Sequence, residues 1–354
     1  MFNPANQAAS TLDKITLTSI DDSPNWLLEI KQAIKNFDSL ADNLELDRDT
    51  LVTGQAAHQT FPLMVPRPYL ERIEKGNPRD PLLLQILPLK QEMVPVQGYV
   101  KDPLSEQDHN PRKALVHKYT SRVLVITSGT CAINCRYCFR RHFPYSDNHL
   151  KQSEWSSLVA YIKQDPNINE VILSGGDPLM VKDKQLAQRI SALEELPQIK
   201  RLRIHTRLPV VIPSRINEEI LQWIRQTRLK VIMVLHINHA NEIDQAVADA
   251  AAKLVKSGVT LFNQGVILKD INDTVDAQVA LSEALFEADI LPYYMFTLDP
   301  VEGAAHFDIS LIQAQKLMGE VAARLPGYLV PKLAKEIPGK TAKTLFAPLL
   351  SEPN

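Results

Sequence analysis

The sequence predicts an α/β fold: a partial (βα)6 barrel, preceded by a mainly helical N-terminal region and followed by a short C-terminal segment. From residue 113 onward, short apolar, β-branched runs alternate with amphipathic helical stretches. A repeating strand–helix order builds a parallel sheet with right-handed crossovers. The runs are continuously apolar rather than alternating, so both faces of the sheet are covered. Six such runs fall short of the eight strands of a closed barrel.

Residues 1–112 form the N-terminal region, where NWLLEIKQAIKNF and PYLERIEKGNP carry apolar residues at helical spacing. The Pro- and Asp-rich joints FPLMVPRP, NPRDP and KDPLSEQDHNP separate such segments. The barrel is expected over 113–326. Its strand candidates are RVLVITSG (122–129), EVILSGG (170–176), RLRIHTR (201–207), KVIMVLHI (230–237), VTLFNQGVIL (259–268) and ILPYYMF (290–296). SEWSSLVAYIKQ, KQLAQRISALEEL, RINEEILQWIRQ and IDQAVADAAAKLVKSG read as the helices between them. Residues 327–354 form the C-terminal segment.

Hydrophobic content of 45% and charged content of 23% fit a soluble globular chain. A net charge of −2 offers no basic field to recruit nucleic acid. No apolar run reaches the ~18 residues of a membrane helix. The start, MFNPANQAASTLDK, lacks the basic and apolar regions of a secretory signal. Three clustered cysteines give no disulfide framework. A reducing, cytoplasmic location is expected.

Those cysteines, Cys131, Cys135 and Cys138, all fall in TSGTCAINCRYCFRRH, directly after the first barrel strand. Active sites of parallel α/β folds lie at the carboxyl ends of strands. Three thiolates can hold three irons of a [4Fe–4S] cubane, whose usual complement is four cysteines. The fourth iron then stays open to S-adenosylmethionine (SAM), and the spacing resembles the signature of radical SAM enzymes. Plainer readings are three buried free thiols, which chance would scatter, or a zinc site, which wants a fourth ligand that only His142 offers nearby. After the second strand comes Ser174-Gly175-Gly176-Asp177-Pro178. Glycines let backbone approach a ligand closely, and a carboxylate or carbonyls here can accept from an ammonium group. The run resembles the element that binds the amino group of SAM in that superfamily.

LVHKYTSRVLVITSGTCAINCRYCFRRHFPY, ILSGGDPL, RIHTRLPVVIPSRI, FNQGVILKDIND and LPYYMFTLDPVEGAAHF together resemble the lysine 2,3-aminomutase family. Within it they are most similar to the bacterial branch that makes (R)-β-lysine for elongation factor P. The likeness runs from roughly residue 15 to 345. It implies a barrel of the radical SAM type, pyridoxal phosphate (PLP) as a further cofactor, and a radical 1,2-amino shift on L-lysine. Lys343 matches the Schiff-base lysine, with Lys340 as the alternative. Lys118, Tyr119 and Arg122 match phosphate ligands. Ser174, Gly175, Gly176, Asp177 and Gln264 match positions around SAM. Arg140 matches the clamp on the substrate carboxylate, and Asp299 an aspartate that holds the distal ammonium.

The family's second aspartate is expected to be missing, with Pro331 or Lys332 in its place. The zinc-binding C-terminal cysteines of clostridial-type members are also expected to be absent. His236 and His239 read as polar residues at a strand end. The implied partners are a reductase or flavodoxin-type electron donor and the ligase that loads β-lysine. Rival readings are an aminomutase of another amino acid such as glutamate, a radical SAM enzyme without PLP, and a noncatalytic cluster-binding protein.

Overall fold

The computed structural model describes residues 25–48, 51, 54–106, 109–145 and 150–350. The stretch read as lacking a secretory signal lies outside them, as do Gln107 and Asp108 of the third joint. Nine strands form one sheet in sequence order. They are β1 (Leu115–Tyr119), β2 (Arg122–Ser128), β3 (Glu170–Gly175), β4 (Arg201–Thr206) and β5 (Lys230–Leu235), then β6 (Thr260–Val266), β7 (Leu291–Phe296), β8 (Lys332–Lys335) and β9 (Thr344–Leu345). Every step from β2 to β8 is parallel. β1 and β9 flank the series antiparallel. The six expected runs are β2 to β7.

The C-terminal segment does not stand apart from the barrel. It adds β8 as a seventh parallel strand, with Leu333 and Ala334 buried between two lysines. Two apolar residues in KLAK are too few to announce a strand by periodicity.

Four helices lie where the amphipathic stretches put them, at Gln152–Gln164, Asp183–Glu194, Glu218–Gln226 and Gln245–Lys256. Two more, Val275–Glu287 and Leu311–Arg324, follow β6 and β7. Asn217, Asp244, Thr274 and Ser310 cap four of the six through their side-chain oxygens. Each such cap contributes about 1 kcal/mol. The helices cover the sheet, which is why β3 is buried along its whole length.

The N-terminal region departs from the expected helix over NWLLEIKQAIKNF. One helix covers Asn25–Lys31 and a second starts at Phe37. Between them Ile34 exchanges backbone hydrogen bonds with Val65 at 2.8 and 2.9 Å. A tertiary pairing interrupts what helical spacing alone would continue. The region also grips the cysteine loop. Arg136 is fully buried and reaches Glu92 Oε1 at 2.8 Å, and Arg141 reaches Glu92 Oε2 at 2.7 Å. Among the described residues no helix is long and apolar enough to cross a membrane.

Candidate active site

A cavity of about 630 Å³ lies inside the sheet, reaching the carboxyl ends of its parallel strands. Every residue matched from the sequence to the cluster, SAM, PLP or substrate lines it. Lys340, the alternative to Lys343, is exposed and off the wall that Ala342 and Lys343 join.

Cys131, Cys135 and Cys138 are free thiols on the loop after β2. Burial, and then the neighbouring thiols, push Cys131 well above its ordinary range and Cys138 up to about 11. Such thiols stay protonated at neutral pH unless a bound cation draws the proton off, as iron does. Arg207, just beyond β4, brings Nη1 to 2.6 Å from Cys135 Sγ. Three thiols and a guanidinium in one protected loop suit a negatively charged iron–sulfur cluster. A single metal ion suits the site less well. Among the described residues no three His, Cys, Asp or Glu groups converge on one ion. His142 lies 3.2 Å from the Glu302 carbonyl and is not on the cavity wall.

The glycines at the end of β3 make a close contact within the protein. A Cβ on Gly176 would sit 2.5 Å from the Thr130 carbonyl oxygen, and one on Gly175 2.5 Å from that of Ser128. Gly175 also holds φ +119°, a conformation that favours glycine. The pair therefore lets this loop press against the cysteine loop. Asp177 likewise works through the protein. Its carboxylate accepts from the backbone N–H groups of Leu179 (3.0 Å), Arg207 (2.8 Å) and Leu208 (3.0 Å), and from Thr206 Oγ1 (2.7 Å). With the acid filled, carbonyls are the acceptors this motif has left for an ammonium group.

Arg140 is bidentate on Glu106, at 2.7 Å for both bonds, and its Nη1 donates to Ser174 Oγ at 3.0 Å. Burial opposes both charges, and their mutual attraction outweighs it: Arg140 is raised and Glu106 lowered. The guanidinium expected to clamp a substrate carboxylate thus already carries an internal one, and its Nη1 edge faces the cavity wall at Ser174.

Farther along, Lys343 Nζ donates to Glu336 Oε2 at 2.6 Å, and Tyr119 OH to Glu336 Oε1 at 2.6 Å. Arg122 stacks over the Tyr119 ring at 3.9 Å. Lys118 Nζ donates to the Leu104 carbonyl at 2.8 Å. Lys343, Tyr119, Arg122 and Lys118 share the cavity wall, and two amines, a phenol and a guanidinium are groups that suit an aldehyde-bearing phosphate. Burial pushes Asp299 up to about 7, Lys343 draws it down, and Glu336 adds to the rise.

Pro331 and Lys332 stand where the family's second aspartate was expected to be missing, and a glutamate four or five residues later, Glu336, is on the cavity wall with Asp299. His205 and His236 were also missed as wall residues. Their rings meet edge to face at 5.8 Å, and Gln264 Nε2 lies 3.1 Å from His236 Nε2. Burial first, then nearby cations, hold His236 down at about 3, so it is neutral. The signal available was a histidine at the carboxyl end of each of two adjacent strands. His239 lies off the wall, its Nδ1 accepting from Asn241 N–H at 3.2 Å.

Residues 125–274 match the Radical SAM superfamily. The chain is 48% identical to an L-lysine 2,3-aminomutase of Haemophilus influenzae, over 93% of this chain and 97% of that one. It is 47% identical to one of Escherichia coli, over 90% and 94%. Against the L-lysine 2,3-aminomutase of Clostridium subterminale the identity is 30%, over 92% of this chain and 78% of that one.

Proposed function

The chain belongs to the lysine 2,3-aminomutase family of radical SAM isomerases, and we propose that it converts L-lysine to (R)-β-lysine for modification of elongation factor P. Its cofactors are a [4Fe–4S] cluster, SAM and PLP. When bound, the cluster and SAM supply a hydrogen-abstracting carbon radical, and PLP a conjugated system across which nitrogen migrates.

One observation carries the choice of substrate. Two acids, Asp299 and Glu336, share a wall with Lys343, while Arg140 stands near the cysteines. L-lysine has a carboxylate at one end and an ammonium at the other, and this polarity matches it. Glutamate would put its second carboxylate against the two acids, so the arrangement disfavours it.

The chain's own residues position and shield. Cys131, Cys135 and Cys138 hold the cluster. Gln264 and the carbonyls of Ser174, Gly175 and Gly176 face SAM, with Asp177 fixing their loop. Lys118, Tyr119 and Arg122 hold the phosphate, and Lys343 anchors PLP. Arg140, its plane fixed by Glu106 and its Nη1 by Ser174 Oγ and the Gly175 carbonyl, supplies the positive charge for the substrate carboxylate. Glu336 is bound to Lys343 in this structure. With that amine committed to PLP, Glu336 Oε2 would be open to the distal ammonium beside Asp299, while Oε1 keeps the Tyr119 hydroxyl. Walls of packed side chains exclude water and stray hydrogen donors from a radical. A flavodoxin-type reductase supplies the electron, and a ligase takes the product.

The test is anaerobic incubation with L-lysine, SAM and dithionite, followed by chiral separation of the products. (R)-β-lysine is the expected product. The S isomer, or rearrangement of glutamate in place of lysine, would overturn the reading.

A further inference from the structure

We infer that Arg207 is a positioning residue that raises the reduction potential of the cluster by donating to Cys135, with Glu242 tempering the effect. The inference rests on the reading that the three cysteines hold a [4Fe–4S] cluster.

Arg207 is built for one direction. Asp177 pins its backbone by accepting from the N–H groups of Arg207 and Leu208. Its side chain is 6% exposed. Nη1 points at Cys135 Sγ at 2.6 Å, while Nη2 donates to Glu242 Oε2 and Gln85 Oε1, each at 2.7 Å. Glu242 is itself fixed: it accepts from Asn238 N–H at 2.9 Å and Gln85 Nε2 at 3.1 Å. By contrast, Arg136 and Arg141 of the cysteine loop turn their forks to Glu92, away from sulfur.

The consequence is electrostatic. One-electron reduction takes the core from [4Fe–4S]2+ to [4Fe–4S]1+ and places an extra negative charge beside Cys135. Hydrogen bonds to cluster sulfurs and nearby positive charge favour the reduced form and raise the potential. Low dielectric inside the protein strengthens that contribution. Glu242 opposes it from the far side of the guanidinium, so the cation prevails at the sulfur. The same Asp177 that shapes the loop after β3 therefore sets the arginine that tunes the cluster.

The test is an EPR-monitored redox titration with dithionite on anaerobically reconstituted wild type, Arg207→Gln and Glu242→Gln at full iron content. Arg207→Gln should lower the reduced-to-oxidised ratio at a fixed potential at least tenfold, a midpoint about 59 mV more negative for one electron. Glu242→Gln should move the midpoint the other way. A merely structural defect would not split the two variants in sign. A loaded Arg207→Gln that titrates with wild type overturns this inference alone. If Arg207→Gln does not hold its cluster, a Glu242→Gln midpoint at or below wild type overturns it instead. A wild type with no cluster signal overturns the cluster assignment and this inference with it.

Discussion

Asp299→Asn separates an electrostatic role from a packing role, because Asp299 titrates where the enzyme can be assayed. Its carboxyl is pushed up to about 7, burial being the main cause. Lys343 works against that rise, so engaging its amine with PLP removes a cation and leaves the acid no stronger. A charge-assisted hydrogen bond to the lysine ammonium contributes about 1.5–3 kcal/mol. Losing it should reduce kcat/KM for lysine by roughly 10- to 150-fold at pH 8. The sign with pH follows from which form binds. The ionised acid pairs with the ammonium, so affinity is present above the pKa and lost below it. With a pKa of about 7, and no lower once Lys343 ceases to oppose the rise, at most roughly nine-tenths of the acid is ionised at pH 8 and one-tenth at pH 6. Wild-type kcat/KM should fall accordingly, since that parameter reports the free enzyme's groups. The asparagine variant has nothing to titrate there. The wild-type-to-variant ratio should therefore narrow about tenfold from pH 8 to pH 6. Anaerobic initial rates at pH 6, 7 and 8 measure it. A ratio constant across that range, or unchanged lysine kinetics, would refute the reasoning.

Lys343→Ala should abolish turnover while Lys340→Ala keeps most of it, and borohydride should place the pyridoxyl group on Lys343 by peptide mapping. A label on Lys340 would refute this, since Lys340 is exposed outside the cavity. Cys135→Ala should lose the [4Fe–4S] absorbance and all cleavage of SAM; full cluster content in that variant would sink the assignment. Glu92→Gln leaves the fully buried Arg136 without its counter-charge. That should cost about 3–5 kcal/mol of stability, read as a lower denaturation midpoint, and an unchanged midpoint would show that the pair does not hold the cysteine loop.

The barrel was legible from its repeating strand–helix order, but the expected burial of both strand faces holds along the whole length of β3 only; β4 and β6 alternate buried with half-buried residues, because their inner face lines the cavity. β8 was not, because KLAK buries only Leu333 and Ala334 and shows no run. The cysteine triplet was legible because spacing along one loop is local. The work of Asp177 was not, because its partners Thr206, Arg207 and Leu208 lie about thirty residues downstream, on the next strand and its loop. Contacts across that separation leave no mark in local spacing. Glu106 is a similar case, a lone acid in a Pro- and Asp-rich joint whose bidentate partner lies 34 residues away.

Strand pairing places Glu336 and Lys343 where sequence spacing alone does not. β7 and β8 run parallel, with Tyr294 beside Lys332 and Phe296 beside Ala334. The pairing ends there, and the residues that follow, Leu298 and Asp299 after β7 and Glu336 after β8, line the cavity. Pro331 and Lys332, at the entrance to β8, are not on that wall. Only a strand in this register can hand an acid at 336 and an amine at 343 to one cavity, because β9 turns back antiparallel and pairs Thr344 with Lys335. That hairpin folds Lys343 onto Glu336 at 2.6 Å. The same two short strands thus bring Lys343 and Glu336 together on the cavity wall.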